Sequence, residues 1–361
     1  MKVGILTHHT VINQGAILQM YAMTKWLQEK GIDVCTLSYV KNFDFDLETS
    51  AKYNISLKNY PYYFKEYLLK KGISLTIFNI KKQILYKKYI KETFKFENYA
   101  LNYQDAVIVG SDEVFSLEYG CNSMMYGHGV NTDKLISYAP SFGQTDIERI
   151  EKYHYKELLK SGLEKFSYLS VRDKKSAETV EKLIGQIPEI VCDPVLLYNF
   201  KKVKTDIKKI KKKYLLVYAY DKNMTDKNEV EGIIKYAKEK GLITVSAGTY
   251  HKWCDLNIVC DPLEWLEYFR NAEEIITDTF HGAILSIITN KNSFYYIRNI
   301  NTNKLSNLLK QFYLENKILK EINYEELKKV EVEKQDFEKI NKKLNEIRKS
   351  SEEFLTKALG I

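Results

Sequence analysis

Short apolar runs recur along the chain, each ending in a polar corner and followed by a longer stretch with helical spacing. KVGILT (2–7) reads as a buried first strand with His8, His9 and Thr10 at its carboxyl end. Asn13-Gln14-Gly15 then leads into AILQMYAMTKWLQEKG, apolar at helical spacing and stopped by Gly31, and VCTLSYV forms a second strand. This strand–loop–helix–strand opening predicts a doubly wound α/β domain. The loop lacks G-x-G-x-x-G, so a dinucleotide is not indicated.

Residues 41–104 break the rhythm. They are rich in Lys, Tyr and Phe and carry helical stretches near 58–71 and 79–92, which predicts a helical insertion. It reads either as a basic, aromatic surface for a lipid-linked glycan or lipid head groups, or as solvated helices packed on the sheet. The alternation then resumes: AVIVG ending at Ser111-Asp112-Glu113, KLISYAPSFG (134–143), a helix at about 148–161, FSYLSVRD, KSAETVEKLIG, and EIVCDPVLL with Asp193-Pro194. After a lysine-rich link near 198–212, a second half restarts with YLLVYAY (214–220), NEVEGIIKYAKEKG, LITVSAG (242–248) and DPLEWLEYFRNA. The expected division is an N-terminal Rossmann-like domain over 1–198, a C-terminal one over 199–323, and a charged helical tail over 324–361.

The most informative unit is EEIITDTFHGAILSIITNKNSFYYI (273–297). A strand delivers the corner Asp278-Thr279-Phe280-His281-Gly282, and an apolar helix leaves it. A helix N-terminus at the carboxyl edge of a parallel sheet offers free N–H groups to anions. A histidine there adds a charge or a proton. The plainer reading is that His281 caps the helix beside a core Phe280.

Composition narrows the function classes. At 361 residues the chain exceeds one ordinary core, and 45% hydrophobic with 28% charged residues is globular. A net charge of +8 suits anionic small substrates, anionic glycans or a membrane surface. The lysines are scattered, so no nucleic-acid stripe stands out. The five cysteines are scattered without a C-x-x-C, which indicates neither zinc nor a disulfide framework and fits a reducing compartment. Cys254 and Cys260 lie near His251 without a full ligand set, so no metal is expected. The chain opens on a strand rather than a signal, and no apolar run reaches the roughly 18 residues of a membrane span. The expectation is a cytoplasmic protein, with contact at the inner face of the membrane left open.

Six motifs then occur in order. They are Asn13-Gln14-Gly15-Ala16-x-Leu18-Gln19, Gly110-Ser111-Asp112-Glu113-Val114-Phe115, Ser137-Tyr138-Ala139-Pro140-Ser141-Phe142-Gly143, Ser170-Val171-Arg172-Asp173, Asp193-Pro194-Val195-Leu196-Leu197 and Thr277-Asp278-Thr279-Phe280-His281-Gly282. This series resembles the polysaccharide pyruvyl transferase family, from the first strand to about residue 310 but without the insertion and the tail. The resemblance implies two Rossmann-like domains in a GT-B-like arrangement with a central cleft. It also implies transfer of pyruvate from phosphoenolpyruvate, as co-substrate and without a cofactor, to two hydroxyls of a sugar. A pyruvate ketal forms and phosphate leaves. The acceptor would be a sugar, lipid-linked oligosaccharide or polysaccharide of a cell-surface glycan or its precursor.

By that resemblance His281 is the catalytic acid or a phosphate-binding cation, and Asp112 or Asp278 is the base or orients His281. Asp278 as a helix cap is the structural alternative. Arg172 would clamp the donor carboxylate or phosphate, with an inter-domain ion pair to a nearby acid as its alternative. Gly282 lies in the donor corner. Lys304 stands where family members often carry arginine, keeping the charge and losing the bidentate fork. Pro140 and Glu113 also depart from the pattern. Asn13, Gln14 and Ser141 are acceptor contacts, or loop hydrogen-bonders. Two competing functions use the same residues: a GT-B nucleotide-sugar glycosyltransferase, and a non-catalytic relative that binds anionic glycan.

Overall fold

The computed structural model describes residues 1–42, 72–118, 120–298 and 302–361. The helix expected near 58–71 lies outside them. The chain divides into two compact units. One holds residues 1–42, 90–198 and 347–361, and the other 72–89 and 199–346. Two helices contribute residues to both, Ile73–Thr93 (α2) and Phe337–Leu359 (α12).

The first unit is built on β1 (Lys2–Leu6), β2 (Asp33–Ser38), β3 (Phe96–Asn98), β4 (Ala106–Val109), β5 (Leu135–Ser137) and β6 (Phe166–Tyr168). They form one parallel sheet in the order β3-β2-β1-β4-β5-β6. Helix α1 (Gln14–Glu29) follows β1, with Asn13 as its cap accepting from the Gly15 and Ala16 amides at 2.9 and 3.3 Å. In the second unit β9 (Tyr214–Tyr218), β10 (Ile243–Ala247), β11 (Leu256–Ile258), β12 (Glu274–Thr277), β13 (Asn292–Tyr296) and β14 (Ile318–Leu319) repeat the scheme as β11-β10-β9-β12-β13-β14. Both sheets therefore have the Rossmann order, and in each the winding reverses at one place. That place is β1/β4 in the first unit and β9/β12 in the second.

The strands read as continuous apolar runs because both faces are covered. Tyr214–Tyr218 is buried throughout, as is Ala106–Val109. Several expected elements are shorter or split. The helix expected at 148–161 is two, α3 (Ile147–Lys152) and α4 (Lys156–Leu163), because His154 between them takes the left-handed conformation at φ 59°. FSYLSVRD divides into β6 and β7 (Ser170–Val171). β7 leaves the main sheet to pair with β8 (Glu189–Ile190). The short edge strands β3, β11 and β14 carry too few residues for their periodicity to show in the sequence. β3 lies inside the stretch expected to be a helical insertion. Among the described residues no helix is long and apolar enough to cross a membrane.

Candidate functional site

In the first unit the ends of β1 and β4 meet at the switch point. The Thr7 hydroxyl donates to the Ser111 carbonyl at 3.1 Å, tying the two strand ends together. Gly110 must be glycine: its φ is +121°, and a Cβ would lie 2.2 Å from the Tyr138 carbonyl oxygen. The following Asp112 is left-handed at φ 75°, a conformation Asp tolerates by bonding locally. Its Oδ1 accepts the Glu113 amide at 2.9 Å. The Asp112 carbonyl accepts the Ser141 amide at 2.8 Å, so the corner is fixed to the loop after β5.

His8 packs behind this corner, with its Nδ1 2.8 Å from the Tyr39 hydroxyl. Burial, then the Lys41 charge, lower its pKa to about 4, against the opposing pull of Asp112. Burial also lowers Lys41, although Asp112 and Glu113 favour its charge. Burial and Asp112 raise Tyr39. The corner thus sets a half-buried carboxylate beside a neutral imidazole and a desolvated ammonium.

Arg172 is an almost fully buried side chain, 6% exposed, and pairs with Asp193 at 3.3 Å. Burial opposes its charge, but Asp193, Asp112, Glu113 and Asp173 outweigh it and raise its pKa. Asp193 also accepts from Gln19 and from the Val195 amide, capping α6 (Pro194–Leu197). Arg172 is thus in an ion pair, but with an acid of its own unit and not across domains as expected. Ser141 donates to Asp173 at 2.7 Å and accepts the Gly143 amide at 3.1 Å. Gln14 is 2% exposed in the first turn of α1. Both Asn13 and Ser141 thus make the loop bonds that were their alternative reading.

In the second unit β12 ends at the corner that opens α9 (Phe280–Thr289). The cap is Thr279, not Asp278: its hydroxyl accepts the Gly282 amide at 3.0 Å. Thr277 Oγ1 donates to the Tyr218 carbonyl at 2.7 Å, joining β12 to β9 across the switch point. Gly282 packs directly on these hydroxyls. A Cβ there would lie 2.1 Å from Thr277 Oγ1 and 2.7 Å from Thr279 Oγ1. His281 is half-buried in the first turn, its ring edge-on to Phe280 at 5.5 Å.

Asp278 turns the other way and is 1% exposed. Its Oδ2 accepts from Asn223 at 2.8 Å and from Arg298 Nε at 2.5 Å. Arg298 also reaches Glu229 at 3.3 Å and lies 4.9 Å from the Tyr296 ring centre. Burial raises the Asp278 carboxyl; Arg298 and Asn223 pull it back. Lys304 lies half-buried on α10 (Thr302–Gln311).

Several members of these clusters carried no role in the sequence reading, Arg298, Glu229, Asn223, Lys41 and Tyr39 among them. Arg298 follows β13 by two residues, so the rule that strand carboxyl ends carry the chemistry would have found it. Tyr39 directly follows β2 and is found by the same rule, whereas Asn223 carries no such signal. Among the described residues no group of His, Cys, Asp and Glu could hold a metal ion.

The family model described as polysaccharide pyruvyl transferase matches residues 13–301. No curated protein sequence matches the chain. A solved Listeria monocytogenes structure assigned as a UDP-N-acetylglucosamine 2-epimerase is 10% identical, with a TM-score of 0.50 over 96% of this chain and 90% of that one. The Methanocaldococcus jannaschii UDP-GlcNAc 2-epimerase is 15% identical, with a TM-score of 0.48 over 93% and 94%. The spinosyn rhamnosyltransferase SpnG complexed with thymidine diphosphate is 10% identical, with a TM-score of 0.46 over 96% of each chain. At these identities the likeness is one of fold: a GT-B-like chain of two Rossmann-ordered units.

Proposed function

Because the chain belongs to the polysaccharide pyruvyl transferase family, we propose that it transfers a pyruvyl group from phosphoenolpyruvate to two hydroxyls of a glycan sugar. The observation that carries the reading is the reach of the family match, which runs through both strand-end corners, 110–115 and 277–282. Phosphoenolpyruvate brings a phosphate and a carboxylate. The N-terminus of α9 lies at this corner, and its positive dipole end favours such an anion. His281 stands in that turn and either donates a proton to the C3 methylene or, charged, holds the phosphate.

Protonation at C3 makes C2 electrophilic, and a first sugar hydroxyl attacks it. A second hydroxyl then forms the second C–O bond as the C–O bond to phosphate breaks. Of the two hydroxyl protons, one balances the proton placed on C3 and the other leaves with phosphate. Asp112, half-buried and held in place by the Glu113 amide, is the carboxylate assigned to accept a hydroxyl proton. Asp278 is assigned a positioning role, because Arg298 and Asn223 already hold its carboxylate.

The test uses phosphoenolpyruvate labelled with ¹³C at C2, offered with cell-surface glycans and their lipid-linked precursors. The reading expects phosphate release coupled to a new quaternary ketal carbon in the glycan. Sugar transfer from a UDP- or TDP-sugar, with no ketal formed, would favour the nucleotide-sugar reading that the fold also permits.

A further inference from the structure

A cavity of about 880 Å³ opens in the second unit at the carboxyl ends of β9 and β10, on the far side of β9 from the His281 corner. Its size is that of a small-molecule site. Tyr250, His251, Lys252 and Trp253 come from the loop after β10, Asp221 from the loop after β9, and Glu231 from helix α7 (Lys227–Glu239).

The wall is rigidly built. The His251 amide donates to Asn257 Oδ1 at 2.7 Å, and Asn257 Nδ2 returns a bond to the His251 carbonyl at 3.0 Å. The Tyr250 amide donates to Asp221 at 3.0 Å, and the Trp253 indole N–H to the Met224 carbonyl at 2.8 Å. Both aromatic rings are left half-exposed, the Trp253 ring with its N–H held by Met224 and the Tyr250 ring packed at 5.5 Å on Phe78. His251 is 2% exposed, and its Nε2 lies 3.2 Å from the Ala219 carbonyl oxygen. That nitrogen therefore carries the proton, and Nδ1 is a lone pair with no hydrogen-bond partner among the described residues.

Resting on the glycan-modifying reading above, we propose that this cavity is a carbohydrate subsite that takes a sugar residue of the glycan away from the reacting corner. Rigid half-exposed aromatic rings suit the apolar C–H face of a pyranose. Asp221 and Glu231 are acceptors on the cavity wall, and a sugar edge is rich in O–H donors. Lys227, 3.8 Å from Glu231, and Lys252 balance the two carboxylates, so the lining carries no net charge that would draw a phosphate. The loop after β9 has two duties: Asp221 lines the cavity, and Asn223, two residues on, bonds Asp278 beside the corner. A sugar seated in the cavity thus rests on the segment that helps set the corner.

The test is saturation-transfer NMR on the full chain with cellobiose, lactose and chitobiose, and with UDP as the nucleotide control. The melting shift with phosphoenolpyruvate is measured in parallel. We expect transfer to at least one disaccharide, kept in Trp253→Phe and weakened tenfold or more in Trp253→Ala. The phosphoenolpyruvate shift should be the same in all three proteins. No transfer to any disaccharide, transfer unchanged in Trp253→Ala, or UDP bound in place of the sugar would overturn the subsite. A missing phosphoenolpyruvate shift with sugar binding intact would instead sink the pyruvyl-transfer reading and leave the subsite standing.

Discussion

His8 gives the sharpest thermodynamic prediction in the first unit. An ordinary histidine titrates near 6.5, whereas burial and Lys41 hold this one at about 4. The folded state therefore keeps His8 neutral where the unfolded chain would bind a proton. Stability from this group is complete above about pH 6.5 and falls as the pH drops toward 4. At about 1.4 kcal/mol per decade the full penalty is about 3 kcal/mol, and roughly 2 kcal/mol of it falls between pH 7 and pH 5. The perturbation is His8→Gln, which keeps a partner for the Tyr39 hydroxyl and cannot titrate. Urea unfolding of parent and variant at the two pH values isolates the term, because His9, His251 and the carboxylates are common to both. The parent should lose about 2 kcal/mol more than the variant on going to pH 5. Parallel losses in the two proteins would show that His8 is not held neutral and would refute the burial argument.

Three further outcomes follow from the corners. Arg298→Met strips the main partner from a carboxylate that is 1% exposed, and should cost about 2–3 kcal/mol by thermal unfolding. Asp278→Asn in the same chain should restore much of that loss, in a double-mutant cycle. Gly282→Ala places a methyl 2.1 Å from Thr277 Oγ1 and should destabilise by about 1–3 kcal/mol while abolishing the phosphoenolpyruvate melting shift. Asp112→Asn keeps the acceptor for the Glu113 amide and a residue type that tolerates φ 75°, so it should stay folded and lose only the charge that supports Arg172 and Lys41. Its turnover should nevertheless fall a hundredfold or more in the phosphate-release assay.

The fold was legible where strands were long enough to carry a pattern. KVGILT, AVIVG, YLLVYAY and EEIITD fall at the centre of their sheets, and their unbroken apolar runs signal burial on both faces. The polar residues after each run pointed to the switch points, since a Rossmann sheet delivers all its strand ends to one edge. What stayed hidden was set by tertiary contact. The edge strands β3, β11 and β14 have two or three residues each and no period to read. The break between α3 and α4 depends on one left-handed residue, His154. In the corners, residue types could be read but not their partners. Thr279 takes the cap that Asp278 could have taken, and Asp278 instead meets Arg298, twenty residues away in sequence. No local spacing encodes that pairing; only the adjacency of β12 and β13 creates it.

The measurement that bears most directly on pyruvyl transfer is the melting of the full chain with and without phosphoenolpyruvate, repeated on His281→Ala. At one hundred times its dissociation constant, a ligand of the folded state adds about 2.7 kcal/mol. The account predicts a shift of that order in the parent and its loss or strong reduction in the variant. No shift with phosphoenolpyruvate, alongside a clear shift with UDP-N-acetylglucosamine, would contradict it.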